Sequence, residues 1–393
     1  MKIGILGLGQ AGGKIAHSLT NLAPILYSPL AINLAKQDLS SLFLPESRKL
    51  HIKWKIEGAG RDPQVPYEAL SYPDNQSSLL LKLDEVFGVN FDGNPDFKYK
   101  VDFLLIALGS GGGTGNGFLS ALIDADLVAR LAPIGIILAT PREIDSYQEQ
   151  QNTAVLIQKI NESLQNHQIR TVFLLNNDKY SKRFSSSNAL NLFQSQSKDW
   201  MFESNRHFSM TLTNFFNQTV KPSVKSLDEA DLTNMLTKFY GYSAIVFRKG
   251  DTQKVLDSTI VALEQDGYAT KTATAIAAMV VGRKSEFIEN HLLTQIRELT
   301  PNASQFIYTG FYESDIDENE NHIMISGMDT PSYISKMIND LKDFLTKKQE
   351  MPRLQSPDLS FLKSSQQGHN TPDSLLQPKV IGKFTGFDFS KKK

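Results

Sequence analysis

The sequence GSGGGTGNG, residues 109–117, determines how the rest of the chain is interpreted. It follows an apolar run at residues 103–108 and precedes an apolar helical pattern that begins at Phe118. The order is a strand, then a glycine-rich loop, then the start of a helix. This arrangement directs unpaired backbone N–H groups and the positive end of the helix dipole toward one site. Because six of the nine residues are glycine, side chains do not keep an anion from the backbone, and Thr114 adds a hydroxyl. The stretch therefore predicts a phosphate-binding loop rather than a merely flexible one.

Composition restricts the class of protein. A length of 393 residues indicates two domains, and an apolar content of 40% is enough for a substantial core. The formal net charge of −1 argues against a generally basic nucleic-acid-binding protein. The chain has no cysteine, which excludes disulfides and thiolate metal sites. Its apolar runs are too short for a membrane helix or a signal peptide, so we expect a cytoplasmic protein without direct membrane insertion.

Predicted strands and helices alternate through the first half of the chain. Continuous apolar runs at residues 103–108 and 134–139 are typical of strands covered on both faces. The alternation predicts an α/β fold with a parallel, doubly wound sheet. Four turns follow predicted strands: glycine turns at residues 7–14, 58–63 and 109–117, and an Asn–Asp turn at residues 176–178. We expect all four at the carboxyl edge of the sheet, where open α/β sheets bind ligands.

The first glycine turn, residues 7–14, partly fits two other nucleotide-binding motifs. Its glycines match the G-x-G-x-x-G of dinucleotide-binding domains, which place an acid at the end of the second strand. Here that predicted strand ends at Asn33, and the nearest acid, Asp38, lies well beyond it. A Walker A loop needs Gly where the sequence has Leu8, and it needs Ser or Thr where the sequence has Ile15. An NAD-dependent oxidoreductase is therefore a remote alternative, and it does not explain the glycine-rich stretch quoted first.

The second half of the chain predicts a long helix and then a smaller α+β domain. The helix, residues 199–219, has apolar residues at helical spacing and ends before Pro222. Of the strands predicted after it, the last two flank the acidic stretch ESDIDENEN, which predicts a hairpin-like connection. An amphipathic helix is predicted at residues 332–348. The remaining tail is rich in Ser, Gln, Pro and Lys, and we expect it to be disordered.

Two acids three residues apart, Asp228 and Asp231, lie in the short stretch SLDEAD, residues 226–231, just before a predicted helix. Carboxylates at that position complement the positive end of a helix dipole. Their spacing alone favours this structural role over a catalytic one.

Together these motifs resemble those of the tubulin/FtsZ superfamily. GSGGGTGNG is similar to its signature loop GGGTG[ST]G, with Asn116 in place of Ser or Thr. GQAGG at residues 9–13 resembles its first phosphate loop, and AIN at residues 31–33 is similar to its second. GAGRDP at residues 58–63 resembles the GAGGNP loop that senses the γ-phosphate. SLDEAD resembles the FtsZ sequence NVDFAD and keeps both carboxylates.

The resemblance implies a GTPase that binds GTP or GDP together with Mg²⁺. The divisions it predicts are a GTP-binding domain (1–198), a central helix (199–220), an activation domain with the acid pair (221–330), a C-terminal helix (331–350) and a flexible tail (351–393). The residues that it places at the nucleotide are Gly9, Gln10, Ala11, Asn33, Gly60, Arg61, Asp62, Gly109, Gly111, Gly112, Gly113, Thr114, Gly115, Asn116, Glu143, Asn177 and Asn205.

Some of these residues have more specific expected roles. Asn177 and Asn205 fall where the family contacts guanine. Glu143 falls in the ribose loop, where Asp145 and Glu149 are further candidates because the family's Glu–Arg pattern is missing. Mg²⁺ would bridge phosphate oxygens, and the side chains at positions 10 and 62 could touch it through water.

The resemblance further implies that Asp228 and Asp231 are catalytic residues. In the family this loop enters the nucleotide pocket of the next subunit and positions the attacking water, so a head-to-tail homopolymer completes the active site. With the glycine loops matched upstream, this role is favoured over the helix-dipole role. A scaffold that binds GTP and hydrolyses little of it is a further alternative, against which both acids argue.

Within the superfamily the chain resembles the plasmid- and phage-borne TubZ branch and the archaeal CetZ proteins more than cell-division FtsZ. Its last helix and its lysine-ending tail, GKFTGFDFSKKK, look like those of TubZ, whose tail engages a DNA-bound adaptor. This resemblance implies segregation of plasmid or phage DNA by dynamic filaments. The alternatives are a cell-shape or cell-division filament protein and, for the tail, a solvated segment without a partner.

Overall fold

The computed structural model describes residues 1–186, 199–218, 223, 225–283 and 289–350. The strands in this part of the chain are β1 Ile3–Leu8, β2 Tyr27–Asn33, β3 Lys49–His51, β4 Phe103–Gly109, β5 Ile134–Thr140, β6 Thr171–Asn176, β7 Gly241–Lys249, β8 Ala275–Gly282, β9 Ile307–Glu313 and β10 Glu320–Met328. The helices are α1 Gly9–Leu22, α2 Lys36–Ser40, α3 Gln64–Ser71, α4 Pro73–Phe87, α5 Thr114–Asp124, α6 Tyr147–Gln165, α7 Asn177–Ser186, α8 Trp200–Gln218, α9 Glu229–Thr237, α10 Thr252–Gln265, α11 Glu289–Leu299 and α12 Ser332–Glu350.

The strands form one sheet in the order β3-β2-β1-β4-β5-β6-β7-β10-β8-β9. All neighbours pair in parallel except β10, which runs antiparallel to β7 and to β8. The first half thus has the doubly wound strand order 3-2-1-4-5-6, which reverses direction between β1 and β4. This confirms the predicted α/β class. The sheet continues into the second half because Thr171 to Phe173 of β6 pair with Gly241 to Ser243 of β7.

The core lies on both faces of the sheet. In β1, Leu6 and Leu8 belong to one hydrophobic cluster, whereas Ile3 and Ile5 belong to the other. Alternate side chains of a strand point to opposite faces, so a strand with helices on both sides must be apolar at every position. The continuous apolar runs of the sequence follow from this arrangement.

The predicted central helix is α8, and its bounds agree with the prediction to within one residue at each end. It packs against α1 and α7. Leu212, Phe215 and Phe216 of α8 are buried in the cluster that also contains Ile3 and Ile5 of β1. The helix therefore joins the second half of the chain to the strand that carries the first glycine turn.

Two local predictions were wrong. The strands on either side of ESDIDENEN do not pair with each other, because β8 lies between β9 and β10. Every residue of β8 is buried, so this strand needs a neighbour on each side, and β9 takes the sheet edge. The Asn–Asp turn is instead the first turn of a helix, since α7 begins at Asn177 directly after β6.

Several predicted features lie outside the described residues. They are the tail at residues 351–393, Pro222, and residues 187–198 of the serine-rich segment after α7. Among the described residues, none of the helices combines the length and the apolar character that spanning a bilayer requires.

Candidate functional site

Three loops meet where β1 and β4 end, at the point where the strand order reverses. We call the segments at residues 9–13, 58–63 and 109–117 the glycine edge. A Cβ built on Gly9 would lie 3.0 Å from the backbone N of Gly115, and one built on Gly113 would lie 2.9 Å from the backbone N of Asp62. The three segments are therefore in van der Waals contact. This crevice is where an open α/β sheet binds its ligand.

Most glycines of the signature stretch allow protein elements to approach one another. A Cβ on Gly117 would lie 2.1 Å from the carbonyl oxygen of Pro63, and one on Gly115 would lie 2.8 Å from that of Leu8. Only Gly112 among the six has open space beyond its α-carbon, with nothing within 4 Å. Close packing against other protein atoms is therefore a second reason for glycine at five of these positions, and their exposure of the backbone to an anion stays a prediction. Five of the six glycines lie where protein segments pack closely against the loop. Gly112 faces the space that a ligand can enter.

The helix starts at the glycine edge supply hydrogen-bond donors. Neither α1 nor α5 has a side-chain cap or an acidic residue in its first turn. The first N–H groups of a helix have no intrahelical acceptor, so both helices present unpaired donors and a positive dipole end at this edge. Gln10 in the first turn of α1 has an exposed side chain. The arrangement fits a polyphosphate.

Asn116, the departure from the family's signature, has a structural role. Its side chain is 3% exposed. Its Nδ2 donates hydrogen bonds to the carbonyl oxygens of Ser110, at 3.0 Å, and Asn152, at 2.9 Å. Both amide hydrogens are thus used to hold the glycine loop against α6. The backbone N–H in the first turn of α5 is the donor that this residue can offer to a ligand.

Asn152 of α6 is the residue that sequence reasoning missed. Its Nδ2 donates to the carbonyl oxygen of Arg61, at 2.8 Å, and to that of Gly111, at 2.9 Å. Because its own carbonyl accepts from Asn116, this one residue joins two segments of the glycine edge to α6. The available signal was an asparagine on the apolar side of a helix, since a buried amide must find partners.

The segment at residues 58–63 is held by side chains of α6. The carbonyl oxygen of Arg61 accepts a second hydrogen bond from Gln148 Nε2 at 3.1 Å, and its Nε lies 3.5 Å from Glu149 Oε1. Asp62 is exposed, and its Oδ1 accepts from the backbone N–H of Gln64 at 2.9 Å. Gly60 has a φ of 54° and is exposed.

The other predicted nucleotide residues follow strands β2, β5 and β6 at the carboxyl edge of the sheet or, for Asn205, lie on α8. Asn33 ends β2; its side chain is 2% exposed, and its Nδ2 donates to Asp38 Oδ2 at 3.0 Å. Asn177 begins α7, and Asn205 lies on α8, which packs against α7. The backbone N–H of Glu143 donates to Asp178 Oδ1 at 3.3 Å.

Among the three ribose candidates, Glu143 has the exposed carboxylate. Asp145 Oδ1 is paired with Arg142 Nη2 at 2.7 Å, and Glu149 Oε2 accepts from Ser146 Oγ at 2.7 Å in a capping box at the start of α6. Glu143 also lines a cavity of about 500 Å³ together with residues of α12.

The acid pair forms the start of α9. Asp228 is the N-cap, and its Oδ1 accepts from the backbone N–H of Asp231 at 2.9 Å, while Asp231 Oδ2 accepts from that of Asp228 at 3.3 Å. This capping box is the structural role that spacing alone favours. Burial, followed by the negative charge of Asp228, raises the pKa of Asp231, whereas its hydrogen bond from the Asp228 backbone and the positive charge of Lys225 lower it.

The acid pair lies at the opposite edge of the sheet from the glycine loops. The backbone amine of Met1, which precedes β1, is 2.5 Å from Glu229 Oε1 in the first turn of α9. Helix α9 then leads to Gly241, which pairs with the first residue of β6. The six residues of β1 separate this amino edge from Gly9 by roughly 20 Å. A carboxylate at position 228 or 231 therefore cannot reach the glycine edge of its own subunit.

Comparison with known proteins identifies similar chains. No family model matches this sequence. It is 26% identical over 197 residues to the tubulin-like protein TubZ of Bacillus cereus, a match that covers 48% of this chain and 42% of that protein. It is 22% identical over 395 residues to the tubulin-like protein CetZ of Pyrococcus abyssi, which covers 96% of this chain and 95% of the relative. The chain thus spans less than half the length of the TubZ relative in that match.

A solved structure resembles the whole described fold. The GTPγS-form protofilament of TubZ from Bacillus thuringiensis serovar israelensis superposes with a TM-score of 0.72 at 19% identity, covering 89% of this chain and 93% of that one. At this identity the likeness concerns the fold.

Proposed function

Because the chain is a member of the tubulin/FtsZ superfamily, we propose that it is a GTPase that assembles head to tail and hydrolyses GTP between consecutive subunits. The observation that carries the proposal is the separation of the two edges. The donors that suit a triphosphate lie at one end of β1, and the paired carboxylates lie at the other. Stacking two copies in the same orientation would bring the acid edge of one onto the glycine edge of the next.

The chemistry of phosphoryl transfer suits this division. Such a reaction needs charge stabilisation around the phosphates and a positioned nucleophile. The unpaired N–H groups of α1 and α5 would bind the phosphates, and the hydroxyl of Thr114 lies in the same first turn. The carboxylates of Asp228 and Asp231 would accept hydrogen bonds from the attacking water and orient it toward the neighbour's γ-phosphate.

The expected metal is consistent with the side chains present. Among the described residues no group of three or more His, Cys, Asp or Glu could hold an ion by itself. Mg²⁺ would be held mainly by the phosphates, whose charge it would neutralise, and the exposed side chains of Gln10 and Asp62 would hold its waters.

Guanine is the proposed base, and Asn177 and Asn205 would read its edge. An amide side chain carries both a donor and an acceptor, which matches the mixed edge of guanine. The TubZ relative with GTPγS in its protofilament supports the choice of nucleotide. Glu143 would bind the ribose hydroxyls.

Sedimentation tests the proposal as a whole. The purified chain should pellet with GTP and Mg²⁺ and stay in the supernatant with GDP, and phosphate release should rise more steeply than protein concentration because assembly completes the site. ATP in place of GTP is the control. A chain that stays soluble at high concentration with GTP, or that turns over GTP at a rate proportional to its own concentration, contradicts head-to-tail catalysis.

For the cellular role we propose segregation of plasmid or phage DNA, with cell shape or division as the alternative. The support is the resemblance to TubZ in the last helix and the tail. The tail would bind a DNA-bound adaptor protein, and truncation after Glu350 should then abolish adaptor binding while polymerisation persists. A truncated chain that still binds the adaptor removes this support and favours the shape or division role.

A further inference from the structure

A cavity of about 460 Å³ lies between the two halves of the chain, and we call it the α8 cavity. Strand β6 and helix α7 line it from the first half, β7 and α10 line it from the second half, and α8 lines it as well. Its volume is within the range of roughly 300–1,000 Å³ that small-molecule sites occupy. The described residues around it include none of those predicted at the nucleotide, so it is a different site from the proposed GTP site.

Part of the lining of the α8 cavity is apolar. Phe173 of β6, Leu212 of α8 and Leu263 of α10 line it, and each of them is buried. Phe173 and Leu212 belong to one hydrophobic cluster and Leu263 belongs to the other, so the cavity borders both clusters. An apolar group placed among these side chains would leave water, which favours its binding.

The charged side chains around the α8 cavity are mostly cations. Lys179 and Arg183 of α7 and Arg248 of β7 line it, whereas Asp266 is the one acid among the described lining residues. Asp266 forms an ion pair with Lys179. Arg248 Nη1 donates a hydrogen bond to a neutral group, Ser258 Oγ, at 3.1 Å. The lining therefore carries an excess of positive charge, which favours a negatively charged ligand.

The imidazole of His207 experiences the same positive charge. His207 lines the cavity, and its ring centroid lies 5.7 Å from that of Tyr180. Burial lowers the pKa of His207, and the positive charges of Arg183 and Lys179 lower it further. The imidazole is therefore neutral at neutral pH, and the cations of α7 make this side of the cavity electropositive.

The hydroxyl of Thr259 on α10 is a polar group of the lining that the protein leaves unused. Its side chain is 0% exposed. Within the part of the chain that the structure describes, its Oγ1 has no hydrogen-bond partner. Buried hydroxyl groups are ordinarily hydrogen-bonded. An unused hydroxyl beside a cavity therefore indicates where a bound molecule can supply the missing partner.

We propose that the α8 cavity binds a small anionic amphiphile, a molecule with an apolar body and one negatively charged oxygen-rich head group. The apolar body would pack against Phe173, Leu212 and Leu263. The head group would accept hydrogen bonds from the guanidinium of Arg248, which can donate two in parallel, and from the hydroxyl of Thr259. This second ligand is independent of GTP and of assembly, because the cavity does not include the proposed nucleotide site.

Fluorescence titration with anilinonaphthalene sulfonate, an aromatic sulfonate, tests the chemistry of the site on the full chain at saturating GDP and Mg²⁺. We expect one bound probe per chain. Octanoate should displace it, whereas octylammonium should not, because the two competitors share an apolar chain and carry opposite charges. The same titration without GDP should give the same dissociation constant.

Two pairs of variants locate the bound probe. Ala262→Phe fills the cavity and should abolish binding, and Val261→Phe is its control because Val261 is 51% exposed on the same helix and does not line the cavity. Arg248→Gln should weaken binding roughly tenfold through the loss of a charge-assisted hydrogen bond. Lys249→Gln, at the next position of β7 and outside the lining, is the matched control. Thermal unfolding verifies that each variant is folded.

The outcomes separate this inference from the proposed function. Loss of binding in Ala262→Phe and weaker binding in Arg248→Gln, with both controls unchanged, support it. Equal probe affinity in Arg248→Gln and the unaltered chain, or equal displacement by octanoate and octylammonium, overturns it. Release of the probe by GDP would place the probe in the nucleotide crevice and also overturn it, while the proposed function stands. A chain that binds the probe as expected but stays soluble with GTP contradicts the proposed function alone.

Discussion

The two edges of the sheet are built in different ways. At the glycine edge, backbone groups face the ligand space, and side chains such as Asn116 and Asn152 are buried behind them as braces. At the amino edge, the side-chain carboxylates of Asp228 and Asp231 are the proposed reactive groups, and hydrogen bonds with the backbone at the start of α9 hold them. The first edge is suited to binding an anion, and the second to polarising a water molecule.

This difference agrees with the proposal that one active site needs both edges. A crevice of N–H donors binds phosphate without a base, and a pair of exposed acids repels phosphate. The roughly 20 Å length of β1 keeps them apart within a subunit. The capping box that satisfies the backbone of α9 also fixes the positions of both carboxylates, so the observed structural role is compatible with the proposed catalytic role of the same two residues.

The largest expected effect is on the chemistry of the acid edge. Asp231→Asn can still accept the Asp228 N–H and keep the capping box, but it loses the charge. We expect GTP turnover in the pelleted polymer to fall about a hundredfold or more, with nucleotide affinity unchanged. Glu229→Gln, which removes an exposed acid two residues before Asp231, is the control and should turn over normally. Loss of GTP binding in Asp231→Asn would instead place this residue in its own subunit's pocket.

At the glycine edge, two alanine substitutions in one loop should behave differently. Gly117→Ala places a Cβ 2.1 Å from the Pro63 carbonyl and should cost about 1–3 kcal/mol of unfolding free energy, because both backbones must move. Gly112→Ala meets no protein atom within 4 Å, so stability should be unchanged while GTP binds less tightly. Thermal unfolding without nucleotide, followed by binding titration, measures both. Equal destabilisation by the two variants would contradict the distinction between glycines that allow close packing of protein segments and the glycine that faces the ligand space.

A smaller effect on stability is expected at Asn116, whose side-chain hydrogen bonds hold the glycine loop against α6. Asn116→Ser restores the residue type of the family's signature but leaves the carbonyls of Ser110 and Asn152 without the amide donors they have now. The free energy of unfolding should fall by roughly 1–2 kcal/mol. Chemical denaturation measures it, and Asn166→Ser, at the exposed C-terminal end of α6, shows the effect of the same exchange outside the site. A fully stable Asn116→Ser variant would mean that the amide does not brace the loop.

The smallest expected effect is on pH dependence. Because burial raises the pKa of Asp231, its carboxylate protonates at a higher pH than an ordinary aspartate, and turnover should decline from that higher pH as acid is added. The positive charge of Lys225 opposes the shift, so Lys225→Met should move the acid limb of the pH–rate profile upward. Lys2→Met, an exposed cation at the same edge, is the control. A downward movement in Lys225→Met would contradict this assignment of the acid limb.

Local sequence predicted the glycine edge well because each strand–loop–helix unit is encoded in one short stretch. The alternation of strands and helices predicted the parallel, doubly wound sheet of the first half, and apolar residues at helical spacing predicted α8 to within one residue at each end. The position of β8 between β9 and β10 could not be predicted from local sequence. It depends on the tertiary fold, in which the fully buried β8 pairs with a strand on each side. The roles of Asn116 and Asn152 were also hidden, because their partners are carbonyl groups from distant segments.

The most direct test of the central claim is complementation between two inactive variants. Gly112→Asp adds a carboxylate to the ligand space and should exclude phosphate while its acid pair stays intact, and Asp231→Asn keeps the nucleotide site and loses the acid. Mixed in equal amounts, with co-sedimentation of both variants verified, they should regain GTP hydrolysis, because the acids of one subunit then meet the nucleotide of the next. Hydrolysis that remains at the sum of the two separate variants, although both are present in the same pellet, would contradict a site shared between subunits.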